Sequence, residues 1–213
     1  MRIATLRAWR NFSAAALRAG FGVVAVALIG AGCGSTDRSR PVQAPPAQLL
    51  AQARPIGRGP VFQPPVAGPV LGRCARTLGV RAGVHVEVFA SDRVVLIPLG
   101  IGTKAPRGFL SGRITRAACY GELVTLDPTG LVLVRSGAQP VLADLFRSWG
   151  QPLTAWRLAS FSVAKGAEVQ VFVDGRPWRG APGRVPLRPH SEIVLEVGPH
   201  VPPHAAYTFP PGT

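Results

Sequence analysis

Four histidines, three cysteines and ten acids among 213 residues carry most of the chemistry this sequence could do. His200 and His204 are four apart, a spacing that on a helix would turn both imidazoles to one side and suit a metal ion. Pro202 and Pro203 lie between them and favour a polyproline path, on which positions four apart diverge, so both read as solvated tail residues. His85 stands beside Glu87 in an alternating stretch, both on the face opposite the valines and therefore expected toward solvent. With Glu122 and Asp127, His85 makes up the weak candidate set for a copper or zinc site. No CxxC occurs and no histidine lies at ligand spacing from Cys74 or Cys119, which argues against metal binding by these thiols. There is no GxSxG, and no serine has a local signature that would activate its hydroxyl. No catalytic residue is assigned on this reading, and no cofactor is expected.

The first cysteine has a different context. Arg2, Arg7, Arg10 and Arg18 are followed by an uncharged run from Ala19 to Gly32, and Ala31-Gly32 places small residues directly before Cys33. Fourteen helical residues reach about 21 Å, short of the roughly 30 Å of a bilayer's hydrocarbon core. Residues 1–32 therefore read as a signal peptide rather than a permanent span. Ala31-Gly32-Cys33 resembles the lipobox of bacterial lipoproteins, although Gly30 stands where that pattern prefers Leu. The resemblance implies acylation of Cys33 and anchoring to the outer face of the cytoplasmic membrane. The alternatives are an ordinary secretory signal with Cys33 as an incidental thiol, or an uncleaved anchor. Cys74 and Cys119 then remain as an even pair in an oxidising compartment, expected to form a disulfide, with two buried free thiols as the alternative.

The rest of the chain must position these groups. Residues 33–69 are rich in proline and poor in large apolar residues, and read as a flexible tether. Residues 70–197 form the expected β-rich domain, and residues 198–213 a second proline-rich tail that Tyr207 and Phe209 could pin to it. Within the domain, Val84, Val86 and Val88 alternate with polar neighbours and lead through Ser91-Asp92-Arg93 into Val94–Leu99, a hairpin pattern. Glu122–Leu126 and Leu131–Val134 form a second pair around Asp127-Pro128-Thr129-Gly130. The spacing of Val141, Leu142, Leu145, Phe146 and Trp149 predicts one short helix stopped by Gly150. Glu168–Val173, the Asp174-Gly175 turn and Glu192–Val197 complete the set. The expected class is α+β, mainly β: an antiparallel or mixed sheet of hairpins with one short helix. The order from residue 120 onward resembles the β-grasp arrangement of ubiquitin-like domains.

The formal charge is +14, from 24 basic and 10 acidic residues. Residues 1–32 hold four arginines and no acid, so the mature chain keeps 20 − 10 = +10. That charge is spread out, without the clustered cations and interleaved aromatics of a nucleic-acid interface. Outside the cytoplasm its counterions are expected to be anionic lipid headgroups or wall polymers.

Several stretches together are similar to an uncharacterised family of exported bacterial proteins. They are Phe89, Ile97–Gly102, Cys119-Tyr120, Asp127, Gly130, Leu145-Phe146, Trp149–Leu153, Val171–Gly175, Pro186-Leu187, His190, Glu192-Ile193 and Tyr207–Gly212. The similarity covers roughly residues 70–213, and its most specific pieces are Trp149–Leu153 and Tyr207–Gly212. It implies that Cys74 and Cys119 match two family cysteines, which supports the disulfide. The family carries a His-x-His pair before the first hairpin and a Leu-His-Thr-His-Asp motif in the second. Here those positions read Gly83 and His85, and Leu123-Val124-Thr125-Leu126-Asp127. If the family's histidines bind a metal, three of four ligands are gone, and a single imidazole with Asp127 is a poor transition-metal site. The resemblance thus implies a scaffold that kept its fold and lost its cluster. The functional expectation is a non-enzymatic, lipid-anchored envelope protein with a binding or structural role; a metal-binding envelope protein is the alternative.

Overall fold

A computed structural model describes residues 55–201 and 206–213. Cys33, the signal segment and the first part of the tether lie outside the described residues. In chain order the elements are β1 (Arg81–Ala90), β2 (Arg93–Val94), β3 (Thr103–Leu110), β4 (Arg113–Tyr120), β5 (Leu123–Val124) and β6 (Leu131–Arg135). Then follow α1 (Leu142–Trp149), β7 (Arg157–Leu158), β8 (Phe161–Ser162), β9 (Gln170–Val173), β10 (Arg176–Pro177) and β11 (Glu192–Val197). The protein is α+β and mainly β.

The principal sheet runs β10-β9-β11-β1-β6-β5, with β2 paired to β1 beyond the end of β6. β1 and β11 are parallel, with Val86 opposite Ile193 and Val88 opposite Leu195. The other neighbouring pairs are antiparallel. With α1 between β6 and β9, the path β6-β1-β11-β9-β10 is the β-grasp strand order. It does not lie wholly in the C-terminal half, as the sequence pattern implied. Its first strand is β1, and residues 91–130 are an insertion between the two strands of the opening hairpin. β5 does pair with β6, but only through Leu123 with Val134 and Val124 with Leu133. The longer partner of β6 is β1, matched from Arg81 with Arg135 to His85 with Leu131.

The two faces of this sheet build two cores. Val84, Val86, Val88, Val132, Ile193 and Leu195 pack on Leu142, Leu145, Phe146 and Trp149 of α1. α1 starts where the Val141 N–H donates to the Asp144 carboxylate at 2.9 Å, and it ends at Gly150 with φ 78°, the left-handed cap conformation glycine adopts without Cβ strain. On the opposite face Leu131, Leu133, Val124 and Leu126 meet Ile114 and Tyr120 of β4, together with Tyr207 and Phe209 from the tail. The β3–β4 hairpin, absent from the sequence reading, forms its own two-stranded sheet.

The boundary at residue 70 moves. Residues 55–69, counted with the tether on composition, are laid along the domain. Ile56 is bonded between Val94 and Leu96, donating to the Val94 carbonyl and accepting from the Leu96 N–H, each at 2.8 Å. Proline removes backbone donors but leaves carbonyls, and side chains of the domain reach these. Trp149 Nε1 donates to the Phe62 carbonyl at 2.5 Å, Gln151 Nε2 to that of Val61 at 2.7 Å, and Lys104 Nζ to those of Ala67 and Gly68 at 3.0 and 2.6 Å.

Cys74 and Cys119 are disulfide-bonded, with 5.3 Å between their Cα atoms, beside a two-bond bridge between Ala75 and Tyr120. Closing a loop across a sequence separation of 45 removes unfolded-state entropy worth about 4 kcal/mol at most. The Cys74→Ser/Cys119→Ser double variant is expected to lose about 2–4 kcal/mol in urea unfolding; a loss below the error of the extrapolation would show the bond to be energetically idle. Arg81, buried at 7% exposure, donates to the carbonyls of Leu78, Gly121, Glu122 and Leu133 at 2.7 to 3.2 Å. Arg81→Met keeps length and apolar stem but strands these acceptors, and is expected to cost about 2–3 kcal/mol in the same assay.

Candidate functional site

The face of β1 opposite α1 carries Gly83, His85, Glu87 and Phe89. His85 was expected at the surface; it is only 7% exposed. Its backbone N–H donates to the Ser191 carbonyl at 3.0 Å, and its ring lies against Tyr207 with centroids 3.8 Å apart and planes 10° from parallel. Nε2 lies 3.1 Å from the Thr129 carbonyl. A carbonyl can only accept, so Nε2 carries the proton there and offers no lone pair to a metal. The alternation correctly put His85 opposite the valines. What it could not see is that a segment more than a hundred residues later covers that face.

The other two members of the candidate set are placed elsewhere. Asp127 begins the β5–β6 turn, where Oδ2 accepts from Arg113 Nη1 at 2.6 Å and Oδ1 accepts from the Thr129 hydroxyl. Glu122 sits at the far end of the same hairpin, packed against Gly72 so closely that a Cβ there would lie 2.1 Å from Oε1. Among the described residues no three of His, Cys, Asp and Glu gather in a way that could hold a metal ion.

The tail is irregular, as its prolines imply, and it is held by its aromatic and polar groups. The His200 imidazole Nδ1 is 2.7 Å from Glu196 Oε2, Val201 N–H donates to Oε1 of the same carboxylate, and the His200 ring leans on Phe172. Glu196 is 2% exposed, so this contact gives a buried carboxylate its partner; the side chain of His200 is still 51% exposed. Further on, Tyr207 N–H donates to Glu192, Tyr207 meets Phe209 edge to face, and Phe209 packs on His190, whose Nε2 bonds the Thr213 carbonyl. His204 lies outside the described residues. Glu192, Glu196, His85 and His190 thus all serve to seat the tail.

Open surface of a binding kind lies instead around Trp178, a residue the sequence reading passed over. A cleft of about 530 Å³ is lined by Trp178, Phe172, Pro177, Glu168, Gln170 and Arg179. A second of about 550 Å³ on its other side takes in Trp178, Asp174, Arg176, Arg188 and His190. The indole is positioned by the Asp174-Gly175 turn, where both residues have positive φ, and by the Trp178 N–H bond to Val171 at 2.8 Å. Trp156, 65% exposed, adjoins Ala155 on the wall of the first cleft. An exposed tryptophan next to charged and amide side chains can stack on a flat apolar ligand face while its neighbours hydrogen-bond the edge. The available signal was the Trp in Pro177-Trp178-Arg179-Gly180, on the return arm of a hairpin whose strand is two residues long.

Comparison with protein families, with curated proteins and with solved structures found no match to this chain.

If the tail covers His85 as described, diethylpyrocarbonate is expected to modify His200 quickly and His85 slowly. Tyr207→Ala is expected to raise the His85 rate on the order of tenfold or more, because the covering group then opens locally. Equal rates at His85 and His200 in the unsubstituted protein would contradict the covered arrangement.

Proposed function

We propose that this chain is an exported protein of the cell envelope, anchored through acylated Cys33 to the outer face of the cytoplasmic membrane, and that its domain binds rather than catalyses. The observation that carries the reading is the Cys74–Cys119 bond. Disulfides persist in oxidising compartments and are rare in the cytosol, and the arginine-bearing, then apolar, then small-residue run before Cys33 gives a route to such a compartment. Two acyl chains hold a protein stably on a bilayer where one is marginal.

Binding is favoured over catalysis by the occupation of the reactive groups. His85 donates to a backbone carbonyl, and Asp127 is held by Arg113 and Thr129. The same bonds, with Glu122 at the other end of its hairpin, weigh against a copper or zinc site built on these three residues. The clefts beside Trp178 suit a ligand with flat apolar faces and a polar edge, and the sugars of wall polymers have that character. The charge of +10 on the mature chain suits anionic wall polymers or lipid headgroups.

Mass spectrometry of the protein extracted from membranes tests the anchor: the mature N-terminus is expected at Cys33 with acyl groups attached, and Cys33→Ser is expected to accumulate unprocessed precursor. A mature N-terminus at any other residue overturns the reading.

A further inference from the structure

Among the described residues the β3–β4 hairpin forms a sheet of its own, joined at its base to Ala75 through the Tyr120 bridge. Ile114, opposite Phe109 and one pair short of the turn, is buried, and its N–H donates to the Leu126 carbonyl at 2.7 Å, which fastens the β4 strand close to the tip. One further pair, Leu110 with Arg113, leads to a tight turn at Ser111 and Gly112, both with positive φ, as two-residue hairpin turns require. At that tip Phe109 and Leu110 are 60% and 68% exposed, adjacent large apolar side chains at the outermost point of the ribbon. Neighbours on a strand face opposite sides, so the pair forms an apolar wedge and not a one-sided patch.

The charge on the ribbon is one-sided. Residues 103–120 contain Lys104, Arg107, Arg113 and Arg116 and no acid. Arg113 is paired with Asp127. Arg107 bonds the Thr103 hydroxyl and the carbonyls of Thr103 and Gly100, and Lys104 bonds carbonyls of residues 67 and 68; these contacts position the cations without neutralising them. Arg116 is exposed. An apolar tip on a cationic, acid-free stem is complementary to the interface of an anionic bilayer, where the tip enters the acyl boundary and the cations meet headgroup phosphates. Each such cation near an anionic leaflet strengthens binding by roughly fivefold.

We infer that the β3–β4 tip is a second membrane contact, in which Phe109 and Leu110 insert into an anionic lipid surface and Arg116 engages its headgroups, while Lys104 and Arg107, further down the stem, add attraction at longer range. The inference rests on the anchored reading for bringing the tip within reach of a bilayer, where tethering raises its effective concentration. Together the anchor and the tip would hold the domain in one orientation on the membrane.

The test uses the lipidated full chain carrying Leu110→Cys, labelled with an environment-sensitive fluorophore and reconstituted into vesicles of equimolar phosphatidylcholine and phosphatidylglycerol. Lys165→Cys, at an exposed loop, is the control, and urea unfolding checks that both variants keep the parent's stability. The expected result is a blue-shifted, severalfold brighter signal at position 110 that a quencher on the lipid acyl chain extinguishes, with no change at position 165. The signal is expected to weaken on phosphatidylcholine alone. No response at 110 while the protein stays on the vesicles overturns the hairpin contact and leaves the anchor standing. A response of equal size on neutral lipid, or one seen before vesicles are added, also overturns it, the latter pointing to a second copy as the occupant. The unsubstituted mature chain has no free thiol on the anchored reading, so label at Cys33 in that chain overturns the anchor and not the hairpin.

Discussion

Strand β1 is closed on every side, and the rest of the molecule is arranged around that closure. Along one edge it pairs in parallel with β11; along the other it takes β6 for its first half and β2 for its last two residues. The unpaired step between β6 and β2 is bridged by the Gly130 carbonyl, which accepts from Val86 N–H at 2.9 Å. Gly130 has φ +81°, and a Cβ there would lie 2.5 Å from the Val86 carbonyl, so the bridge requires glycine. The valine face is buried by α1. On the opposite face the tail packs on His85 and on Gly83, where a Cβ would come within 3.0 Å of the Leu131 and Phe209 side chains and push them back. His85 is buried under Tyr207 on this strand and behaves as a structural residue, while Glu87, two residues on, is half-buried and lines a small pocket at the gap between β6 and β2.

The insertion between β1 and β6 is fastened to this strand by a buried charge. Arg81 stands at the start of β1 and reaches backbone carbonyls on three sides of it. Burial, and then the nearby Arg135 guanidinium, lowers its pKa below the usual arginine range to about 10, so it remains charged at neutral pH. Desolvating a cation costs several kcal/mol, and hydrogen bonds from a charged donor recover roughly 1.5–3 kcal/mol each. Four of them are enough to keep the guanidinium in place. The disulfide works on the same region by a different route, restricting the unfolded chain rather than adding native contacts.

Local pattern made some of this legible and left the rest hidden. The helix, its apolar face and its Gly150 stop were readable because period and cap coincide within a dozen residues. The Asp174-Gly175 turn and the strand Glu192–Val197 were readable for the same reason. The β3–β4 hairpin was not: its apolar residues fall at Phe109, Leu110, Ile114 and Tyr120, and Pro106 interrupts the run, so neither strand alternates cleanly. Residues 55–69 looked like tether because their contacts are made by Trp149, Gln151 and Lys104, far along the chain. His85 looked exposed because its cover, Tyr207, is equally remote. Trp178 follows an edge strand of two residues, too short for any periodic signal.

A domain whose reactive side chains are spent on its own closure presents its surroundings with edges: the clefts at Trp178 and the tip of the β3–β4 ribbon. The central claim is the closure of β1, and native-state hydrogen exchange measures it directly. The amides of Val86, Ile193 and Leu195 are expected to exchange only through global unfolding, with the free energy found by urea, while those at Phe109 and Leu110 exchange through local opening. Exchange of the β1 amides as fast as those of the ribbon tip would contradict the account.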